Sequence, residues 1–351
     1  MQDKDFNPNL EDDSAYHKLV GKISTSYTNG QAKAASAVNI QLLETYWEIG
    51  QQIVEFEQGG NARAEYGKAL ISNLAKDLSL LHGKGFSRTN IVYMRLLYLR
   101  YPISQKPSHQ LSWSHFVELL KIEDDLERKF YENQTIAEKW SVPELKRQKN
   151  AALFQRLALS KNKEEILKLA SHGQEIASAR DVVRDPYIFE FLKIPEQDLP
   201  SEQELENLLC NNLQQFLLEL GKGFTYVGRH YRMTINNKHH RVDLVFYHRI
   251  LRCFVLIDLK INEIQHGDIG QMNLYLGYFA KEENTDGDNP PIGIILTKEK
   301  DELLVEYAMY GITSQLFVSK YQLYLPNKND LITLLNNILQ SEDGQNVKTN
   351  N

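Results

Sequence analysis

Nine residues, CFVLIDLKI (253–261), constrain the fold of this chain more than any others. From Cys253 to Ile257 the run is apolar and rich in branched side chains, the pattern of a buried strand. It then ends Asp258-Leu259-Lys260. Alternation along a strand puts Asp258 and Lys260 on one face and turns Leu259 to the other. A carboxylate and an ammonium at the end of a core strand are expensive to bury unless something compensates them. The fold has to supply, on that one face, a reason for both charges.

A chain of 351 residues is long enough for two or three domains, each with its own core. Its net charge of −6 gives no general attraction to polyanions, so any contact with nucleic acid must come from a local patch. Cys210 and Cys253 are far apart and in no metal-like spacing. They point to a reducing compartment, without disulfide staples or a zinc site. The opening MQDKDFNPNLEDD is polar and acidic, unlike a signal peptide, and no apolar run reaches the ~18 residues of a membrane span. A cytoplasmic protein with no membrane partner is expected.

Between residues 15 and 170 the apolar spacing is helical almost throughout. In VNIQLLETYWEIGQQIVEFE (38–57), Ile40, Leu43, Tyr46, Trp47, Gly50 and Ile53 form one stripe. Ser87 reads as a helix N-cap, Pro102 as a stop, and Ser141 with Pro143 as a further helix start. Residues 171–200, with Pro186, Pro195 and Pro200, read as a linker, and the polar ends 1–14 and 341–351 as frayed. From 201 the pattern changes. A helix over 201–220, ended by Gly221, is followed by three strand-like segments at 224–235, 241–248 and 253–261, with short connections. A helix at 268–283, a strand at 292–298 and a helix at 301–311 come next. The expected frame is α-β-β-β-α-β over 201–341, with a further strand in 315–326 and a last helix.

Within that frame Asp243 lies in RVDLVFYH (241–248), among residues otherwise suited to a core. If its strand pairs with the next, the carboxylates of Asp243 and Asp258 converge at one sheet edge. Glu206 lies on the preceding helix, and Gln271 and Tyr275, four apart, on the following one. Hard carboxylate oxygens with open positions beside them suit Mg²⁺, which activates water and neutralises phosphoryl charge. Lys260 beside them can hold a scissile phosphate and orient or deprotonate the attacking water. Phosphodiester hydrolysis needs both charges on one face.

These residues carry a resemblance. Asp243 with Asp258-Leu259-Lys260 in an αβββαβ frame resembles the PD-(D/E)XK nuclease superfamily, although Val242 replaces the usual proline before the first acid. LLELGKGFTYVGRHYRM, VDLVFYHRILRCFVLIDLK, GQMNLYLGYF and PPIGIILTKEKDELLVEYA resemble more narrowly its YhcG-like bacterial branch. The stretches VNIQLLETYWEIGQQIVEFE, KGFSRTNIVYMRLLYLRYP and LSWSHFVELLKIEDDLERKFYE resemble that branch's helical N-terminal domain. The resemblance implies a restriction-endonuclease-like α+β (α/β) domain with a mixed central sheet. It implies catalytic Asp243, Asp258, Lys260, Glu206 and Gln271, with Mg²⁺ (Mn²⁺ as substitute) held by Asp243, Asp258 and Glu206. No small-molecule cofactor is implied. The substrate is nucleic acid, with DNA expected and RNA left open, and a homo-oligomer is compatible.

Blander readings stand beside these. Asp258 and Lys260 alone could be a structural ion pair, Glu206 a solvated helix-start carboxylate, and Gln271 with Tyr275 a packing contact. His239 and His240 read as solvent-facing in a polar turn, and Trp47, Trp113 and Trp140 as core. Arg229 and Arg232 on the first strand could meet phosphate or simply decorate the sheet. Two helical stretches contain bases and no acids: 83–100, with Lys84, Arg88, Arg95 and Arg100, and 145–163, with Lys146, Arg147 and Lys149. They make the helical domain, 15–170, a candidate nucleic-acid docking module, open to a helix-turn-helix arrangement. The rival reading is a non-catalytic DNA-binding, regulatory or assembly subunit that retains the nuclease fold.

Overall fold

The computed structural model describes residues 14–58, 64–101, 108–195, 198 and 200–341; Pro102 and the polar ends 1–13 and 342–351 lie outside the described residues. The chain divides into two compact units, Met1–Glu123 and Asp124–Asn351.

The first unit is helical: α1 (Ser14–Gln58), α2 (Ala64–His82), α3 (Arg88–Arg100) and α4 (Trp113–Leu119). Ser87 caps α3, its hydroxyl accepting the Asn90 amide at 3.3 Å. The apolar stripe of α1 is buried at Leu43, Trp47, Gly50 and Ile53, and the Trp47 indole donates to the Tyr101 carbonyl at 2.6 Å. A Cβ on Gly50 would stand 2.1 Å from the Met94 carbonyl oxygen, so only glycine lets α1 lie this close to α3. Nearer its start α1 leaves Tyr16, Leu19, Ile23 and Tyr27 exposed.

The second unit holds α5 (Asp125–Glu138), α6 (Val142–Asn150), α7 (Leu153–Ala158) and α8 (Lys163–His172) together with the sheet. Glu219 explains why these helices pack with the sheet. It is fully buried, and its carboxylate lies 2.8 Å from Arg156, 3.3 Å from Arg147 and 3.5 Å from Arg184, and accepts the Ile188 amide at 3.0 Å. Burial would raise its pKa, but the three guanidiniums more than reverse this and hold it below the usual carboxylate range. Residues 171–200 differ from the linker expected of them. They supply the two-residue strand β1 (Tyr187–Ile188), and Tyr187, Ile188 and Phe189 are wholly buried.

Five longer strands complete the sheet: β2 (Phe224–Ile235), β3 (Lys238–His248), β4 (Cys253–Lys260), β5 (Ile292–Thr297) and β6 (Gln315–Gln322), in the order β1-β6-β5-β4-β3-β2. β2, β3 and β4 run as an antiparallel meander, and β4, β5, β6 and β1 are parallel. Helices α9 (Glu202–Asn211) and α10 (Leu213–Leu220) cover one face over Leu244, Phe246, Val255, Ile257 and Leu259. Helices α11 (His266–Tyr278) and α12 (Glu302–Ala308) cover the other over Val245, Leu256, Ile295 and Val318, and α13 (Lys328–Ser341) follows.

The single helix expected over 201–220 is broken at Asn212, whose side-chain amide turns back to the Leu208 carbonyl at 2.9 Å. His239 and His240 lie within β3, outside the turn assigned to them. The hairpin closes on Asn236 and Asn237 alone, with φ of 47° and 62°, the left-handed pair that a two-residue turn requires.

Candidate active site

The β3–β4 ladder ends at the pair Leu244↔Ile257. The next two residues, Asp243 and Asp258, would have been the next pair, and the strands separate there. The opening leaves the Leu259 amide without a ladder partner on its β3 side, and the Asp243 carboxylate accepts it at 2.8 Å. Alternation puts Asp258 on the α11 face with Leu256, while Ile257 and Leu259 face away; along β3 the alternation breaks at Asp243, since Val242 and Val245 both pack in the α11 cluster and Leu244 in the other. Asp258 is 4% exposed. Burial, and then the facing Asp243 carboxyl, push it up to about 7 against the pull of Lys260. Burial raises Asp243 as well, opposed by the Leu259 amide and Lys260. The two carboxyls titrate as a pair, and Asp258 is the one that its partner raises.

Lys260 Nζ lies 2.7 Å from Asp258 Oδ2 and 3.9 Å from Asp268 Oδ1. Burial works to lower its pKa, but Asp258, Glu202 and Asp268 more than offset this, so the ammonium is held above its ordinary value. Lys260 is therefore a fixed cation in the resting site. Glu206 comes from α9, on the other side of the sheet, yet its charge is among those raising Asp243. It is itself 3% exposed and raised by burial, with His230 and Arg229 working against that. Its Oε1 lies 3.1 Å from His230 Nε2, but in poor alignment, so the oxygen has no hydrogen-bond donor. Gln271 is exposed on α11, and its amide donates to the hydroxyl of Tyr275, a ring 1% exposed that feels the charges of Asp258, Asp243 and Lys260.

Three neighbours of the site escape the sequence reading. Asp268 looks like a capping residue, and its Oδ2 does accept the Gln265 amide at 2.9 Å. Glu202 sits in the first turn of α9 and accepts the Ile261 amide at 3.4 Å. His230 adopts φ 49°, and the β2–β3 ladder skips the pair His230 and Asp243. Neither composition nor alternation signals that break.

The donors suit a small divalent cation. Two hard carboxylates stand in like-charge apposition, and a buried Glu206 oxygen lacks a donor. Among the described residues no three His, Cys, Asp or Glu side chains stand in a ligating group. Glu206 therefore does not complete a three-carboxylate cage with Asp243 and Asp258. A pair of carboxylates with the remaining positions left to water and substrate is the arrangement Mg²⁺ prefers.

The basic residues assigned to docking divide. Arg95 is held by Glu57 at 2.8 Å, and Arg100 donates to the Leu120 carbonyl at 2.7 Å. Arg147 is held by Glu190 at 2.9 Å and lies over the Phe191 ring. Acids absent from their own stretches reach Arg95 and Arg147 from other elements, and backbone carbonyls hold Arg100, so these three are structural. Lys84, Arg88 and Lys146 are exposed, and Lys149 is half-buried. Among the described residues no helix is long and apolar enough to cross a membrane.

Residues 180–336 match the family described as the YhcG PDDEXK nuclease domain, and residues 22–156 the DUF1016 N-terminal domain. "Putative nuclease YhcG" of Escherichia coli K12 is 35% identical over 350 residues, covering 91% of this chain and 93% of that one. Among solved structures, a repair endonuclease from Pyrococcus abyssi aligns at 19% identity and a TM-score of 0.25. The EndoMS–dsDNA2 complex aligns at 18% identity and a TM-score of 0.26. Each of these matches covers 38% of this chain and 50% of the solved one. By its near full-length match to the Escherichia coli relative, the chain belongs to the YhcG family of PD-(D/E)XK nucleases, with a DUF1016-type helical segment ahead of the nuclease domain.

Proposed function

We propose that this chain is a divalent-metal-dependent endonuclease that hydrolyses phosphodiester bonds in DNA. The observation that carries the reading is the opening of the β3–β4 ladder where Asp243 meets Asp258, with Lys260 Nζ 2.7 Å from Asp258. Asp243 and Asp258 would hold Mg²⁺ or Mn²⁺, which when bound supplies Lewis-acid polarisation of the scissile phosphoryl oxygen. Glu206 stands outside that pair, with an oxygen free to accept from a water on the α9 side. Lys260 pairs with the charge that develops on the phosphate and orients the attacking water. Gln271 acts through the Tyr275 hydroxyl, which borders the carboxylates. Lys84 and Arg88 in the first unit, and Lys146 in the second, are the positions from the two basic stretches open to phosphate. A scaffold that only bound nucleic acid would gain stability by neutralising the carboxyl pair, which argues against the non-catalytic alternative.

The test is incubation of the purified protein with plasmid, single-stranded DNA and RNA in Mg²⁺, Mn²⁺ or EDTA. DNA cleavage is expected with either metal and none in EDTA. Lys260→Ala should lower the rate by roughly 10²–10³, the usual loss for one transition-state charge partner. Cleavage by Lys260→Ala at the wild-type rate would sink the assignment.

A further inference from the structure

Between Glu219 and Asp243 the chain carries no acid, while residues 228–242 hold Arg229, Arg232, Lys238 and Arg241 together with His230, His239 and His240. This stretch is the outer half of the β2–β3 hairpin. β4 pairs with β3 only from Leu244 onward, so from Val242 to the Asn236-Asn237 turn the hairpin is a two-stranded arm with both edges free. At about 3.3 Å per residue it reaches roughly 17 Å past Asp243. One of its faces is sealed: Met233 and Val242 are wholly buried against the α11 cluster, and the His240 ring stands 6.2 Å from Tyr275.

The other face carries Arg232, Thr234, His239 and Arg241, all exposed. Arg232 stands directly opposite Arg241 in the register, and Thr234 opposite His239. Like charges in facing cross-strand positions destabilise a ribbon, and no acid of the arm offsets them. Arg232 is held in place by His239, 2.8 Å from its Nε2, whose other ring nitrogen lies 3.0 Å from the Thr234 hydroxyl. At the root of the arm Arg229 donates to Asn207 at 2.7 Å, beside Glu206 on α9. The basic face thus runs along β3 to within two residues of Asp243.

We propose that this arm is the duplex-binding element of the nuclease, its Arg232/Arg241 face neutralising backbone phosphates and leading the strand to Asp243 and Asp258. The inference rests on the nuclease reading above and names the element that grips its substrate. A duplex is the occupant the geometry favours. A two-stranded ribbon fits the ~12 Å major groove. Duplex DNA carries one charge per ~1.7 Å, so the arm's length spans about ten phosphates.

The experiment measures salt-dependent binding of the full chain to short labelled duplex DNA, single-stranded DNA and RNA in a Lys260→Ala background, which separates binding from cutting. Each lost phosphate contact should lower the slope of log affinity against log salt by about 0.9 on duplex. Arg232→Ala with Arg241→Ala should therefore flatten it by about 1.8, and Lys238→Glu, exposed at the turn, should also weaken binding. In the wild-type background the double variant should raise KM more than it lowers kcat. An unchanged duplex slope, with wild-type cleavage intact, overturns the arm and leaves the nuclease standing. A slope lost on single strands or RNA but kept on duplex also overturns the duplex assignment. If the wild type shows no metal-dependent cleavage, the nuclease reading falls, and salt-sensitive duplex binding that still requires Arg232 and Arg241 would keep the arm.

Discussion

Replacing Asp258 by asparagine tests the electrostatics of the site independently of cleavage. The Asp258 carboxyl titrates at about 7 in the fold against an ordinary 3.8, a gap of about 3, because it is buried and faces Asp243. Each pH unit of such a gap is worth about 1.4 kcal/mol, so the ionised carboxyl destabilises the metal-free protein by at most about 4 kcal/mol. Asparagine removes that penalty; the pull of Lys260, 2.7 Å away, already lies within the gap, so the net gain is at most about 4 kcal/mol. For a unit of this size that is a rise of up to about 8–16 °C in Tm. The sign follows from proton linkage. The folded carboxyl holds its proton more tightly than the unfolded one, so stability present below 3.8 is lost as pH rises through about 7. Asparagine does not titrate. The variant's advantage should therefore be full at pH 8, shrink across that window and vanish towards pH 4. Thermal unfolding of both proteins in EDTA across this range is the assay. Adding Mg²⁺ should stabilise the wild type and leave the variant unmoved. A variant less stable than the wild type at pH 8 in EDTA, or a gap that ignores pH, would refute the reasoning.

Three further outcomes are expected. Glu219→Ala leaves Arg147, Arg156 and Arg184 gathered around no acid, and should lose about 3–5 kcal/mol in urea unfolding; for the same reason a fragment beginning at Ser201 should fail to fold while one beginning at Asp124 folds. His248 is fully buried and neutral, its Nε2 donating to the Lys222 carbonyl and its Nδ1 accepting the Leu251 amide, and burial depresses its pKa below 6.5. The unfolded chain takes up a proton that the fold refuses, so the stability present above 6.5 should fall by up to about 1.4 kcal/mol per pH unit just below it, and His248→Gln should lack that component.

The strands and their order were legible because the apolar runs of β3, β4 and β5 leave little choice of structure. Period-two alternation places Asp258 on its face, but not Asp243, which meets β4 through the Leu259 amide where the alternation of β3 breaks. The boundaries that failed were set by distant partners. Residues 171–200 look like a linker because of their prolines, yet Ile188 completes the shell of Glu219, and that carboxylate is visible only as one more charge in a leucine-rich helix. The same blindness made Arg95 and Arg147 look free: their own stretches carry no acid, but Glu57 and Glu190 reach them from elsewhere. Local charge counting finds a basic surface only where the segment cannot fold back onto an acid. On the β2–β3 arm Arg232 and Arg241 stay exposed, and on the helices Lys84, Arg88 and Lys146 do.

Local rules are kept across most of this molecule and broken at one end of its sheet. There, two carboxyls face each other, a histidine adopts φ 49° opposite Asp243, the ladder skips a pair on each side of β3, and two arginines oppose each other across a ribbon. Each break has a cost, from about 1 kcal/mol for a strained backbone to several for the buried acids. A sheet selected only for stability would have closed the ladder with two apolar residues, as it does one pair earlier at Leu244 and Ile257. The breaks also share a sense of charge: anionic where a cation would sit, cationic where a polyanion would lie. On the proposed function, a divalent ion between the carboxyls would relieve the first and a phosphate backbone along the arm the second, so that the complex with metal and substrate would meet both, which is the condition for spending binding energy on the reacting phosphate.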